Sequence, residues 1–130
     1  MAMHAEVIHG VVVSGKGGAS RAMVGEKLAD RSEIAGVPLV PGTLNVLPPQ
    51  GDGMAVSVLG TPAHESETGS PIGTLRWWPV TLRIVAAGVD HPAWVVRHER
   101  TGTRHLEIVA DVRFRDAGVH DGMATEVERR

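Results

Sequence analysis

No apolar stretch in this chain runs long enough to build a large helix bundle or a membrane span. Val-rich segments of a few residues recur from end to end, each cut off by a cluster of Gly, Pro or Asp. Such spacing marks short strands joined by tight turns, because β-branched side chains favour the pleated backbone while Gly and Pro interrupt its ladder. Strands are expected at Glu6–Ser14, Thr43–Leu47, Met54–Leu59, Leu75–Val85, Ala93–His98, Leu106–Ala110 and Met123–Val127. Between them, Gly36-Val-Pro38 and Pro41-Gly42 bracket a turn, and Pro48–Gly53 reads as a loop. Thr61–Gly73 reads as a polar surface loop, and Gly88–Pro92 and Asp121-Gly122 as further turns. Ser20–Ile34 is the one helix candidate: Met23 and Lys27, with Ala22 and Leu28, show loose helical spacing, and Ser20 is placed to cap it. Six or seven strands with one helix in 130 residues describe a single mainly β domain closed as a barrel.

Composition narrows the function. With Cys 0, neither a disulfide framework nor a thiolate site is available. Lys+Arg 13 against Asp+Glu 15 leaves a net charge of −2, without the basic excess of a nucleic-acid or membrane-surface binder. Aromatic residues are 3% of the chain and Tyr is 0, so platforms for base stacking are scarce. The first ten residues lack the basic start and apolar core of a secretory signal. A cytoplasmic monomer that handles small molecules is expected, with neither a nucleic acid nor a membrane as partner. The seven histidines are scattered without metal-binding spacing.

Three stretches can carry chemistry. In Gly10-Val-Val-Val-Ser-Gly-Lys-Gly-Gly-Ala-Ser20 a strand runs into a Gly-rich loop. Successive backbone N–H groups converge in such a loop on phosphate oxygens, and Lys16 can add a cation. It is not a Walker A loop, since Gly17 follows the lysine; an ordinary hairpin turn explains it as well. In Pro41-Gly-Thr-Leu-Asn45, residues two apart on an extended chain share a face, so Thr43 and Asn45 project together while Leu44 enters the core. A hydroxyl and a carboxamide oxygen side by side suit Mg²⁺, although two polar residues on the wet face of a strand would look the same. In Leu106-Glu-Ile-Val-Ala-Asp-Val-Arg-Phe-Arg-Asp116, Glu107 faces away from Leu106 and Ile108, and Arg113 and Arg115 can face an anion. The charge pattern of an edge strand accounts for these too. Trp77-Trp78 reads as a core anchor with one ring turned outward.

Taken in order, Gly10-x-Val-Val-Ser-Gly-x-Gly, Pro41-Gly-Thr-Leu-Asn45-Val, Leu106-Glu-Ile-Val-Ala110 and Asp121-Gly122 resemble the archaeal-type CTP-dependent riboflavin kinases. The resemblance spans nearly the whole chain. It implies a compact six-stranded cradle-loop barrel with one short helix over residues 1–130. It also implies transfer of the γ-phosphate of CTP to the ribityl 5′-hydroxyl of riboflavin, with Mg²⁺, to give FMN and CDP. By position, Gly15, Lys16, Gly17, Gly18, Ala19 and Ser20 would hold the nucleotide phosphates, with Arg113, Phe114, Arg115 and Asp116 completing that site. Thr43 and Asn45 would hold Mg²⁺ and serve catalysis, and Thr101 and Glu107 would contact the flavin. The chain departs from the family pattern in three places. Ala19 stands where a third loop glycine is usual, Ser20-Arg21-Ala22 replaces an aromatic pair, and Asp111 replaces the proline after the Glu strand. A non-catalytic flavin or nucleotide binder, or a kinase on the same barrel with another donor or alcohol, is the alternative that these departures raise.

Overall fold

The computed structural model describes residues 7–14, 25–49, 51–67, 73–100 and 104–130. Within them run seven strands: β1 Val7–Val13, β2 Leu44–Leu47, β3 His64–Ser66, β4 Leu75–Ile84, β5 Val89–His98, β6 Leu106–Val109 and β7 Ala124–Arg129. The hydrogen-bonded order is β3-β4-β5-β6-β2-β1-β7, and β7 pairs back onto β4. Six antiparallel strands thus close into a barrel, and β3 adds to the first residues of β4 as a seventh. Helices α1 Gly25–Ala35 and α2 Asp52–Leu59 and a 3-10 turn at Phe114–Ala117 complete the described elements. No helix among the described residues is long and apolar enough to cross a membrane.

Strand alternation sorts the side chains into two clusters. Val12, Leu44, Val46, Val80, Leu82, Val95, Leu106, Ile108 and Val127 fill the barrel. A second cluster of Leu39, Leu75, Trp77, Val96 and Val109 sits on the outside, covered by Leu28, Ile34 and Ala35 of α1. The two adjacent tryptophans divide between them: Trp78 belongs to the interior and Trp77 to the outer cluster. One ring does turn outward from the barrel, but it meets α1's cluster rather than water, and Trp77 is 0% exposed. Gly10 of β1 packs close against β2; a Cβ there would lie 2.7 Å from Val46 Cγ1.

Several expected elements take another form. Met54–Leu59 is not a strand but most of α2. Its apolar run is too short for periodicity to decide, and the helix wins because Ala55 and Leu59, four apart, both seat on the barrel interior. The surface loop after Thr61 contains β3. The turn expected through Pro92 ends at Gly88, and Pro92 lies within β5 opposite Thr81. The pairing of β5 with β6 covers only Trp94–Val96, so Pro92 occupies an edge stretch, where a missing N–H is tolerated. The last strand continues to Arg129 instead of ending in a charged tail. Its arginines are structural: Arg129 donates to the carbonyls of Leu59 (2.8 Å) and Thr61, and Arg130 to those of Val80 (2.8 Å) and Ala93 (3.0 Å).

Candidate functional site

The site is built on one rung of the sheet. Val13 of β1 pairs with Asn45 of β2, Asn45 with Glu107 of β6, and Glu107 with Val96 of β5. Paired residues face the same side, and their neighbours Leu44, Val46, Leu106 and Ile108 are inside, so Asn45 and Glu107 stand on the outer surface of the barrel. Asn45 is nonetheless buried, at 8% exposure. The Thr43 hydroxyl donates to Asn45 Oδ1 at 2.9 Å, which places the two oxygens side by side, as period-two alternation requires. That separation fits Mg²⁺: adjacent oxygens of an octahedral ion bound at about 2.0–2.1 Å lie about 2.9 Å apart. The same separation is that of an ordinary hydrogen bond; a hydroxyl and a carboxamide oxygen are the kind of donors that could hold a hard divalent cation.

Glu107 lies in a cationic setting that the sequence did not advertise. His105 Nε2 is 4.0 Å from Glu107 Oε1. Burial pushes the Glu107 carboxyl above its usual range, against the opposing pull of His105, Arg31 and Arg97. Arg31 comes from α1. It lies three residues after Leu28 and three before Ile34, both of which pack on the outer cluster, so it occupies the inner stripe of that helix. Burial lowers the Arg31 pKa and Glu107 raises it. Burial also holds the His98 imidazole below its ordinary value, and Arg31 adds to that effect. His105 was within reach of sequence reasoning, since it shares a face with Glu107 two residues on. Arg31 was not, because only the packing of α1 brings it over β6.

Two recesses flank this rung. A cavity of about 250 Å³ is walled by Pro41, Gly42 and Thr43 on one side and by Arg113, Phe114, Arg115 and Asp116 on the other. The latter four form a 3-10 turn and its entry rather than a continued strand. Arg113 is 3.9 Å from Asp116 and half exposed. Phe114 packs on the barrel core and meets the His91 ring edge-on at 5.4 Å, while His91 Nε2 lies 2.9 Å from Asp111 Oδ1. Arg115 donates to Asp121 Oδ1 at 2.7 Å and to the Val13 carbonyl at 3.3 Å, and the Ser14 hydroxyl donates to Asp121 Oδ2. The second recess, about 400 Å³, is mostly apolar; Val11, Val13, Leu47, Pro48 and Pro49 line it, with Arg104 and His105 at its side.

Thr43 thus stands between Asn45 and the Arg113–Asp116 turn, and Asn45 lies directly across from Glu107. Gly15, Lys16, Gly17, Gly18, Ala19 and Ser20 fall outside the described residues, as does Thr101. The described ends of the Gly-rich segment are informative. Ser14, bonded to Asp121 beside Arg115, immediately precedes it, and Val13 pairs with Asn45. Gly25, where α1 begins, follows it. No protein-family model matches the chain, and a search of curated proteins finds no match.

Proposed function

We propose that the protein is a CTP-dependent riboflavin kinase of the archaeal type. The observation that carries the reading is the Thr43–Asn45 oxygen pair, Asn45 lying opposite Glu107, with a cavity edged by Arg113, Arg115 and Asp116 on one side and an apolar recess on the other. A phosphoryl transfer between a nucleotide and a flavin needs that division: an electrostatic compartment for phosphates and a greasy one for a ring system. In this reading the backbone of Gly15–Ser20, Lys16 and Arg113 hold the triphosphate, and Thr43 and Asn45 hold Mg²⁺. When bound, the ion would neutralise charge on the phosphate oxygens. The Val11–Pro49 recess takes the isoalloxazine, and Glu107 accepts hydrogen bonds from it and orients it. The ribityl 5′-hydroxyl then attacks the γ-phosphorus in line: its oxygen bonds to phosphorus to give FMN, the bond from that phosphorus to the β,γ-bridging oxygen breaks to leave CDP, and the hydroxyl proton passes to solvent. Alignment supplies most of the acceleration for such a step.

One assay tests the reading: riboflavin and Mg²⁺ with CTP or ATP in turn, scored for FMN. FMN with CTP is the expected result; FMN only with ATP transfers the activity to another donor. Absence of FMN with either nucleotide, alongside quenching of flavin fluorescence, would replace the kinase with a binding module. The observation favouring that second reading is the Arg115–Asp121 pair, which occupies a guanidinium that would otherwise face phosphate.

A further inference from the structure

We infer that Asp121 is an internal counter-anion of the phosphate compartment, occupying the donors of Ser14 and Arg115 that an incoming phosphate would use and so setting how tightly that compartment holds its ligand. The inference rests on the phosphate reading of the cavity that Arg115 lines. Its basis is geometric. The two carboxylate oxygens are engaged separately, Oδ1 by Arg115 and Oδ2 by Ser14, residues 101 positions from one another along the chain. A hydroxyl and a guanidinium converging on the two oxygens of one anion is the arrangement by which proteins grip a phosphate. Here the grip is closed on a side chain of the protein itself.

The rest of the turn is built to let that side chain leave. The backbone around Asp121 is tied down independently: Gly122 N–H donates to the Val12 carbonyl at 2.8 Å, and Val12 N–H to the Met123 carbonyl at 2.9 Å. Arg115 has its own second anchor on the Val13 carbonyl. Rotation of one half-exposed carboxylate therefore uncovers both donors without moving a strand. Ser14 and Arg115 also hold the Asp121 carboxyl below its usual range, so it is an anion at neutral pH and cancels the arginine's charge. A singly bridging anion gains little by displacing it. A di- or triphosphate, already held by its other groups, can complete the exchange.

Calorimetric titration of the full-length chain with sodium pyrophosphate at low ionic strength tests this. Asp121→Asn should bind pyrophosphate about twofold to fivefold more tightly than wild type, the range expected from releasing an exposed ion pair. Arg115→Ala should weaken binding more in the Asp121→Asn background than in the wild type, because only there is the guanidinium uncovered. Unchanged or weaker binding by a folded Asp121→Asn protein would overturn the inference. If that variant does not fold, Asp121→Ser, which keeps a turn-forming residue, takes its place with the same expected gain. Pyrophosphate binding indifferent to Asp121, in a protein that still makes FMN from CTP, would remove the counter-anion and leave the kinase. Failure of every variant to bind pyrophosphate would remove the counter-anion, and absence of FMN from CTP besides would remove the kinase with it.

Discussion

The inside and the outside of the barrel are made by the same strands, alternate residues going each way, yet they are stabilised on different terms. Inside, Val12, Val46, Val80, Val95 and Val127 are almost wholly removed from water and belong to one apolar cluster. The buried polar residues of the described chain are Asn45 and Thr125. Thr125 has an evident structural role, since its hydroxyl donates to the Gly10 carbonyl at 3.1 Å and stitches β7 to β1. Asn45 is different: its amide oxygen is met by the Thr43 hydroxyl, a residue of its own segment, and among the described residues its side chain ties no strand to another. Across from it, Glu107 carries the burial penalty of a carboxylate. Under α1 the outer face is as apolar as the inside, but around Asn45 and Glu107 burial holds polar groups close together.

Substitutions on the two faces should therefore separate stability from activity. The largest effect is expected inside: Trp78→Ala empties the centre of the barrel and loses the indole bond to the Gly60 carbonyl. It should cost about 3–5 kcal/mol in urea unfolding. A cost under about 1 kcal/mol would show that the interior is not the packed core described. Next comes Asn45→Ala, expected to lower FMN formation by about a hundredfold or more while the urea midpoint stays near wild type. A purified variant with the wild-type rate would take the metal away from Asn45. Gly10→Ala tests how closely β1 approaches β2, and should destabilise by about 1–3 kcal/mol, because the new methyl meets Val46 and the Leu47 carbonyl.

The smallest effect belongs to Glu107→Gln. With its folded-state pKa raised by burial, Glu107 favours the native protein fully only below the ordinary carboxylate range, and that contribution is lost as pH rises through the raised value. The glutamine variant should lack this decline, so its stability relative to wild type should grow from acid to neutral pH. A difference that stays constant over that interval would mean that His105, Arg31 and Arg97 offset the burial of the carboxylate. Flavin binding by the same variant should weaken, which would set Glu107 apart from a merely structural carboxylate.

Much of the outer rung could be read along the chain. Period-two alternation put Thr43 beside Asn45, turned Leu44 inward and set Glu107 opposite in sense to Leu106 and Ile108, and each of these is seen. The same rule split Trp77 from Trp78. It failed at Met54–Leu59, where a run of apolar residues suits either period and the choice fell to what Ala55 and Leu59 could seat against. The strand expected at Leu106–Ala110 ends where it should, and Arg113–Asp116 beyond it, whose form the sequence left open, is a 3-10 turn and its entry. Arg31 stayed invisible because a lone arginine on a short helix gains meaning only from the strand beneath it. Asp121 looked like a turn residue and nothing more, although its hydrogen bond to Ser14 spans 107 positions.

What the amino-acid order decided by itself was local: which residues pleat, which face each takes, and where glycine or proline stops a strand, since these follow from backbone sterics and a two-residue repeat. What the tertiary structure alone decided was company. Closing β7 onto β4 and β1 brought Ser14 to Arg115 and Asp121, and laying α1 over β5 and β6 brought Arg31 to Glu107. Those encounters depend on the whole sheet burying its apolar face at once, a requirement that no single segment of the chain contains.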